Sequence, residues 1–93
     1  PAAFPAPIIN VHPSLLPKYK GLHAIEQALD SGDDITGVSV HYVNEELDGG
    51  EIILQQEVPI LPDDDLDSLT KAIQRIEYAI LPAAIEHLKH KLQ

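Results

Sequence analysis

Three polar side chains of this 93-residue sequence have the types that an acyl-transfer site requires: Asn10, His12 and Asp48. An amide can donate a hydrogen bond to a developing oxyanion, an imidazole can move a proton near neutral pH, and a carboxylate can orient that imidazole. Asn10 and His12 are two positions apart, so a strand from Ile8 to His12 would place both on one face. Taken alone, this spacing is also compatible with a hydrogen-bonded structural pair.

The elements that hold these groups follow from the pattern around them. Pro13 ends the first strand because it lacks an amide hydrogen, and the prolines and glycine of Ser14 to Gly21 predict a loop. A short helix is predicted from Leu22 to Leu29, with Gly32 as its left-handed C-terminal cap. The apolar face of this helix would consist of Leu22, Ile25 and Leu29.

Two further strands are predicted, from Val38 to Val43 and from Glu51 to Val58. In the first, one face would carry Val38, Val40 and Tyr42, and the other Ser39, His41 and Val43. The connection from Asn44 to Gly50 predicts a hairpin loop in which Gly49 and Gly50 can take positive φ. Asp48 would therefore lie on a loop whose backbone can approach a flat ligand closely.

A long helix is predicted from Leu66 to His90, capped by the carboxylates of Asp63 to Asp65. Its buried stripe would consist of Leu69, Ile73, Ile76, Ile80, Ala84 and Leu88. Pro82 predicts a kink, because it removes one helical hydrogen bond and crowds the preceding turn. Gln74 and Glu77 are three positions apart and share an edge beside the stripe.

Composition excludes several classes of protein. The formal charge of −9 argues against nucleic-acid binding, and the absence of cysteine excludes a disulfide framework and a thiolate metal site. No apolar run approaches the about 20 residues of a membrane span. A zinc site built from His12, His41 and Asp48 is a weaker alternative than a supporting role for His41, so we predict no metal.

Three segments together resemble the folate-dependent formyltransferases, specifically the branch that formylates glycinamide ribonucleotide. They run from Asn10 to His23, from Thr36 to Val43 and from Glu46 to Gly50, and the similarity extends from about Ile8 to Leu88 with order and gaps kept. Relatives that formylate methionyl-tRNA or hydrolyse formyltetrahydrofolate share the Asn, His and Asp, but their loop after the His differs from Lys18 to His23.

The resemblance implies an α/β fold, namely the C-terminal half of a doubly wound, Rossmann-like mixed sheet with flanking helices. Residues 1–93 would then form a single partial domain, because the family's phosphate-binding loop precedes the Asn-x-His motif. The segment from Pro1 to Pro7 has no initiator Met and no targeting signature, which suits a fragment. We expect the chain to pair with the missing half or to form a homodimer.

The resemblance also implies an activity: transfer of a formyl group from the co-substrate 10-formyltetrahydrofolate to the amine of glycinamide ribonucleotide, in the cytoplasm. The implied catalytic residues are Asn10, His12 and Asp48. The implied ribonucleotide-binding residues are Glu77, Gln74 and His23. The implied folate-binding residues are Val43, Asn44, Glu45, Leu47 and Asp48. Two alternatives remain at this point, a deformylase-like hydrolase and a non-catalytic interaction fragment.

Overall fold

A computed structural model describes residues 9–43 and 51–91 of the chain. Along the chain the elements are β1 (Ile9–His12), α1 (Ala24–Ser31), β2 (Ile35–Tyr42), β3 (Ile52–Pro59) and α2 (Leu66–Lys91). The three strands form an antiparallel sheet in the order β1-β2-β3. A sheet combined with helices confirms the predicted α/β class.

The strand register gives the sheet two faces of different character. Asn10 pairs with His41, and His12 pairs with Ser39, so these polar residues share one face, here called the site face. The opposite face, here called the core face, packs against α2. The core face carries Val11, Val38, Val40, Leu54 and Val58.

The second strand begins at Ile35, three residues before the predicted start at Val38. Gly37 explains the difference, because a glycine interrupts the run of β-branched residues on which the prediction depends. A Cβ at position 37 would overlap the carbonyl oxygen of Gln56 and the side chain of Leu15. Glycine is therefore required here by the close approach of the loop that covers the site face.

A β-bulge interrupts the pairing of β2 with β3. Val40 pairs with Leu54, but His41 pairs with Ile52, which leaves Ile53 as an extra residue in β3. Ile53 and Leu54 both pack against the core although they are consecutive in sequence. Beyond the bulge the two strands remain joined, because the amide of Tyr42 donates to the carbonyl of Glu51 at 2.9 Å.

The long helix closes the core face, as its periodicity predicts. The core cluster includes buried side chains from α2, and Ile76 packs against it while half-buried. The buried members of the predicted stripe are Leu69, Ile73, Ile80 and Ala84. The helix continues through Pro82. No helix within residues 9–43 and 51–91 is long and apolar enough to cross a bilayer.

The carboxylate cap of α2 is confirmed at one of the three aspartates. Asp65 Oδ1 accepts from the Ser68 amide at 2.8 Å, and Ser68 Oγ accepts from the Asp65 amide at 3.0 Å. This reciprocal pair satisfies two amides at the start of the helix. The hydrogen bond from the Ser68 amide holds the pKa of Asp65 below its usual value.

The short helix is shifted from its prediction. It begins at Ala24 rather than Leu22, because Gly21 and His23 have φ values of 81° and 62°, outside the helical region. Leu22 is consequently 82% exposed and not part of the apolar face. The other two residues of the predicted face, Ile25 and Leu29, pack half-buried against the core, and the helix also buries Ala24 and Ala28. Gly32, with φ of 80°, is the predicted left-handed cap.

Candidate active site

The end of β1 brings together two of the three predicted catalytic side chains. Asn10 is exposed on the site face, whereas His12, two residues further along, is only 6% exposed. The strand pairing puts the buried His41 opposite Asn10 and the buried Ser39 opposite His12. An amide that can donate to a ligand therefore lies beside an imidazole shielded from bulk water.

The backbone of Tyr19 binds one nitrogen of the His12 ring. His12 Nε2 lies 2.9 Å from the carbonyl oxygen of Tyr19. A carbonyl oxygen can only accept, so Nε2 is the donor of this hydrogen bond. This orientation was not foreseen from sequence, because Tyr19 lies in an irregular loop.

Ser39 joins the loop after His12 to the sheet. Its hydroxyl donates to the carbonyl of Ser14 at 2.6 Å and accepts from the amide of Leu16 at 3.0 Å. Gln55 Nε2, from β3, donates to Ser39 Oγ and to the carbonyl of Leu16, both at 2.9 Å. Backbone groups of the loop that cannot join the sheet ladder thus find side-chain partners.

Sequence reasoning missed Ser39 and Gln55 as supports of the site. A hydroxyl at a central position of a strand otherwise rich in β-branched residues was the available signal, since such a group must find a partner once buried. Ser14 adds a third support, because its hydroxyl donates to the carbonyl of Lys18 at 2.6 Å.

The same loop is tied to the turn between α1 and β2 through Asp33. Asp33 Oδ2 accepts from the Tyr19 hydroxyl and from Lys18 Nζ, the latter at 3.1 Å. These hydrogen bonds, foremost the one from Tyr19, hold the pKa of Asp33 below its usual value. The carboxylate is therefore ionised at neutral pH, and both contacts persist there.

His41 is buried, and its Nδ1 donates to the Tyr42 carbonyl at 3.0 Å. This contact fits the supporting role predicted for His41. In the part of the chain that the structure describes, no group of three His, Asp or Glu side chains could hold a metal ion. Asp48, the third residue of the alternative zinc set, lies outside that part.

Glu77 lies on the side of α2 that faces β1. It is half-buried and contributes to a groove of about 730 Å³ lined mainly by apolar side chains. The lining includes Val11, Tyr78, Leu81, Pro82 and Ile85. Burial raises the pKa of the Glu77 carboxyl, and the charge of His12 partly opposes this shift. Gln74 is exposed and does not line the groove.

Comparison with known proteins identifies the family of this fold. A model of the formyl transferase family matches residues 2–85 of the chain. The chain belongs to the formyl transferase family. Among relatives, it is 53% identical over 78 residues to phosphoribosylglycinamide formyltransferase of Escherichia coli K12, covering 84% of this chain and 37% of that protein.

Two further relatives agree with this assignment. The trifunctional purine biosynthetic protein adenosine-3 of Drosophila melanogaster is 53% identical over 81 residues, which cover 87% of this chain and 6% of that protein. The crystal structure of phosphoribosylglycinamide formyltransferase from Bacillus halodurans superposes with a TM-score of 0.86 at 47% identity, covering 91% of this chain and 44% of the other. The chain therefore spans less than half the length of these formyl transferases.

Of the remaining predicted site residues, the structure describes His23 and Val43. His23 is exposed at the start of α1, where its Nδ1 lies 3.0 Å from Glu26 Oε1. Val43 is exposed just after β2. The other predicted folate contacts, including the catalytic Asp48, lie outside the described residues: Asn44, Glu45, Leu47 and Asp48.

Proposed function

We propose that this chain is part of an enzyme that transfers a formyl group from 10-formyltetrahydrofolate to the amine of glycinamide ribonucleotide. One observation carries the proposal. An exposed amide and a buried imidazole share the site face of β1, in a formyl transferase chain about half identical to phosphoribosylglycinamide formyltransferases. A cytoplasmic location is part of the proposal and is supported by the cysteine-free sequence.

In this mechanism Asn10 donates a hydrogen bond to the formyl oxygen and to the oxyanion that forms when the amine attacks. His12 stabilises the same charge and assists proton transfer. Asp48 pairs with His12 and helps to remove the proton of the attacking amine through water. The oxyanion then collapses, the bond between the formyl carbon and the folate nitrogen breaks, and that nitrogen takes up the proton lost by the amine. Direct attack of the amine therefore requires no covalent enzyme intermediate.

The two substrates would bind to residues of different elements. Glu77 accepts hydrogen bonds from ribose hydroxyl groups, with Gln74 and His23 as further ribonucleotide contacts. Half-burial of Glu77 beside the groove supports this role, since a desolvated acceptor binds a diol more strongly than a solvated one. The pterin ring lies against the segment after β2, on Val43, Asn44, Glu45, Leu47 and Asp48.

The partner proposed for this chain is the rest of a formyl transferase domain. Within the described residues β1 is an edge strand, although it carries Asn10 and His12. Two residues that line the groove beside it, Tyr78 and Ile85, are 82% and 44% exposed. An exposed apolar surface of this kind is typical of a contact site. More than half of each relative lies outside the part that this chain matches. That length of chain is enough to cover both the free edge of β1 and the groove.

Formyl transfer by the full-length protein tests the proposal. We expect 10-formyltetrahydrofolate to be consumed only when glycinamide ribonucleotide is present, and the isolated 93-residue chain to be inactive. Substrate positioning can account for about 7–11 kcal/mol of a barrier, and this chain alone provides only part of it. Consumption without the ribonucleotide would indicate a hydrolase, and no consumption by the full-length protein would indicate a non-catalytic interaction protein.

Size-exclusion chromatography with light scattering tests the partner. We expect the 93-residue chain to form a one-to-one complex with the complementary part of a full-length formyl transferase. Tyr78→Glu should abolish that complex, because it places a charge in the apolar groove. Glu57→Gln, an exposed change on the opposite edge strand, is the control. Self-association of the chain without the complementary part would indicate a homodimer instead.

A further inference from the structure

We infer that Ile52 is a further folate-binding residue, whose side chain contacts the pterin ring of 10-formyltetrahydrofolate. The inference deepens the proposed function and rests on it, because its ligand is the co-substrate of that reaction. Ile52 is the first residue of β3 and follows the segment that contains Asp48. Its position in the sheet, its exposure and its neighbour Val43 carry the inference.

Ile52 belongs to a row of three residues that crosses the site face. Asn10 of β1 pairs with His41 of β2, and His41 pairs with Ile52 of β3. Two strand spacings separate Asn10 from Ile52, a distance of about 10 Å. In 10-formyltetrahydrofolate a single methylene group joins the pterin ring to the nitrogen that carries the formyl group. A formyl oxygen bound by Asn10 therefore brings the pterin ring within reach of Ile52.

The exposure of Ile52 distinguishes it from the next two residues of β3. Ile53 and Leu54 pack against the core, whereas Ile52 is 38% exposed. At the other end of the row Asn10 is exposed, and His41 between them is buried. A ligand that contacts both ends of the row would cross over His41, and it would remove the apolar surface of Ile52 from water.

A second exposed apolar side chain, Val43, lies diagonally across from Ile52. Val43 follows Tyr42 at the end of β2 and is 48% exposed. The Tyr42 amide donates to the Glu51 carbonyl at 2.9 Å, so the two segments are still paired there. Diagonal neighbours of an antiparallel pair are about 7–8 Å apart, so one flat ring can contact both. Ile52 thus extends the proposed pterin site from the end of β2 to β3.

Calorimetric titration of the full-length protein with tetrahydrofolate, the folate product of the proposed reaction, tests this contact without an activity measurement. Ile52→Ala should weaken binding about tenfold, because it removes three carbons that contact the ring from one side. Ile35→Ala makes the same change at a residue that is 44% exposed at the other end of β2, and should leave binding unchanged. Equal affinities of the two variants would overturn the inference. A lower denaturation midpoint of Ile52→Ala with unchanged affinity would do so as well, because Ile52 would then only pack against protein.

NMR of the unmodified full-length protein decides the question even if Ile52→Ala fails to fold. With methyl-labelled isoleucine and bound tetrahydrofolate, we expect nuclear Overhauser contacts between the Ile52 δ1 methyl group and protons of the reduced pterin ring. The methyl signal is assigned by its loss in Ile52→Val. Contacts with the benzoyl ring alone, or none, would overturn the inference.

Steady-state kinetics separate the inference from the proposed function. Ile52→Ala should raise the KM for 10-formyltetrahydrofolate about tenfold, with kcat and the KM for glycinamide ribonucleotide within twofold, because the contact is made equally before and during the reaction. If the protein binds tetrahydrofolate at Ile52 but transfers no formyl group, the inference stands and the proposed function fails. If it transfers formyl groups and Ile52→Ala leaves this KM unchanged, the inference fails and the proposed function stands.

Discussion

The two faces of the sheet are stabilised by different kinds of interaction. On the core face, apolar side chains such as Val38, Leu69 and Ile73 pack between the sheet and α2. On the site face, an irregular loop covers the strands, and its backbone groups are bound by the side chains of Ser39 and Gln55. Packing depends on volume and tolerates some change of shape, whereas hydrogen bonds depend on direction. Stability and chemistry should therefore respond to different substitutions.

The largest expected effect separates chemistry from stability on the site face. Asn10→Asp keeps the shape but replaces a donor by a negative acceptor where negative charge develops in the proposed reaction. In the full-length protein we expect kcat to fall by about 10²–10³ or more, the loss for one oxyanion donor. Because Asn10 is exposed, the denaturation midpoint should stay the same. Near-normal turnover would exclude Asn10 from the mechanism.

The converse effect is expected on the core face. Leu69 is fully buried, and Leu69→Ala should lower the free energy of unfolding by about 2–5 kcal/mol through lost burial and a cavity. Leu22→Ala makes the same chemical change at a residue that is 82% exposed, and should alter stability by at most about 0.5 kcal/mol. Urea denaturation of the full-length variants measures both. Equal losses would mean that Leu22 is covered in the intact protein.

A smaller effect is expected where the loop meets the sheet. Gly37→Ala places a methyl group against the Gln56 carbonyl and the Leu15 side chain, and should cost about 1–3 kcal/mol of stability. Leu15→Ala removes one of the two overlaps. Gly37→Ala should therefore cost less stability in the Leu15→Ala background than in the unmodified protein. Denaturation of the four proteins forms a double-mutant cycle. Additive losses would place Leu15 away from Gly37.

The smallest effect concerns the contribution of Glu77 to the pH dependence of folding stability. Because burial raises its pKa above the ordinary 4.5, the ionised carboxylate disfavours the folded state at neutral pH. Glu77→Gln should therefore stabilise the unliganded protein slightly at pH 7. This gain should disappear below the ordinary pKa, where the carboxyl is protonated in both states. Thermal denaturation across this range measures it, and a variant less stable at pH 7 would contradict the assigned shift.

Regular patterns predicted the core face and much less of the site face. The stripe from Leu69 to Ala84 and the alternation of Val38 and Val40 have periods that identify a helix and a strand directly. The cap at Asp65 follows from a local rule. The late start of α1 could not be predicted, because the left-handed His23 depends on contacts of the folded loop. The same holds for the partners of Ser39, which lie 16 to 25 residues away.

The site itself was predictable in its residue types but not in its orientation. The two-residue spacing of Asn10 and His12 was sufficient to place both on one face of β1. One ring nitrogen of His12 is bound by a carbonyl seven residues further along, in a segment without periodicity. The assignment of Asp48 stays a prediction, since it lies outside the described residues.

The bulge at Ile53 changes which residues of β3 face the site. On its C-terminal side, the even-numbered residues Leu54 and Val58 lie on the core face, whereas on its N-terminal side Ile52 pairs with His41 on the site face. One extra residue thus reverses the odd–even rule as the strand approaches the connection that contains Asp48. Deletion of Ile53 would remove the bulge and leave Ile52 opposite His41, so the pairing at this end of β3 would become regular.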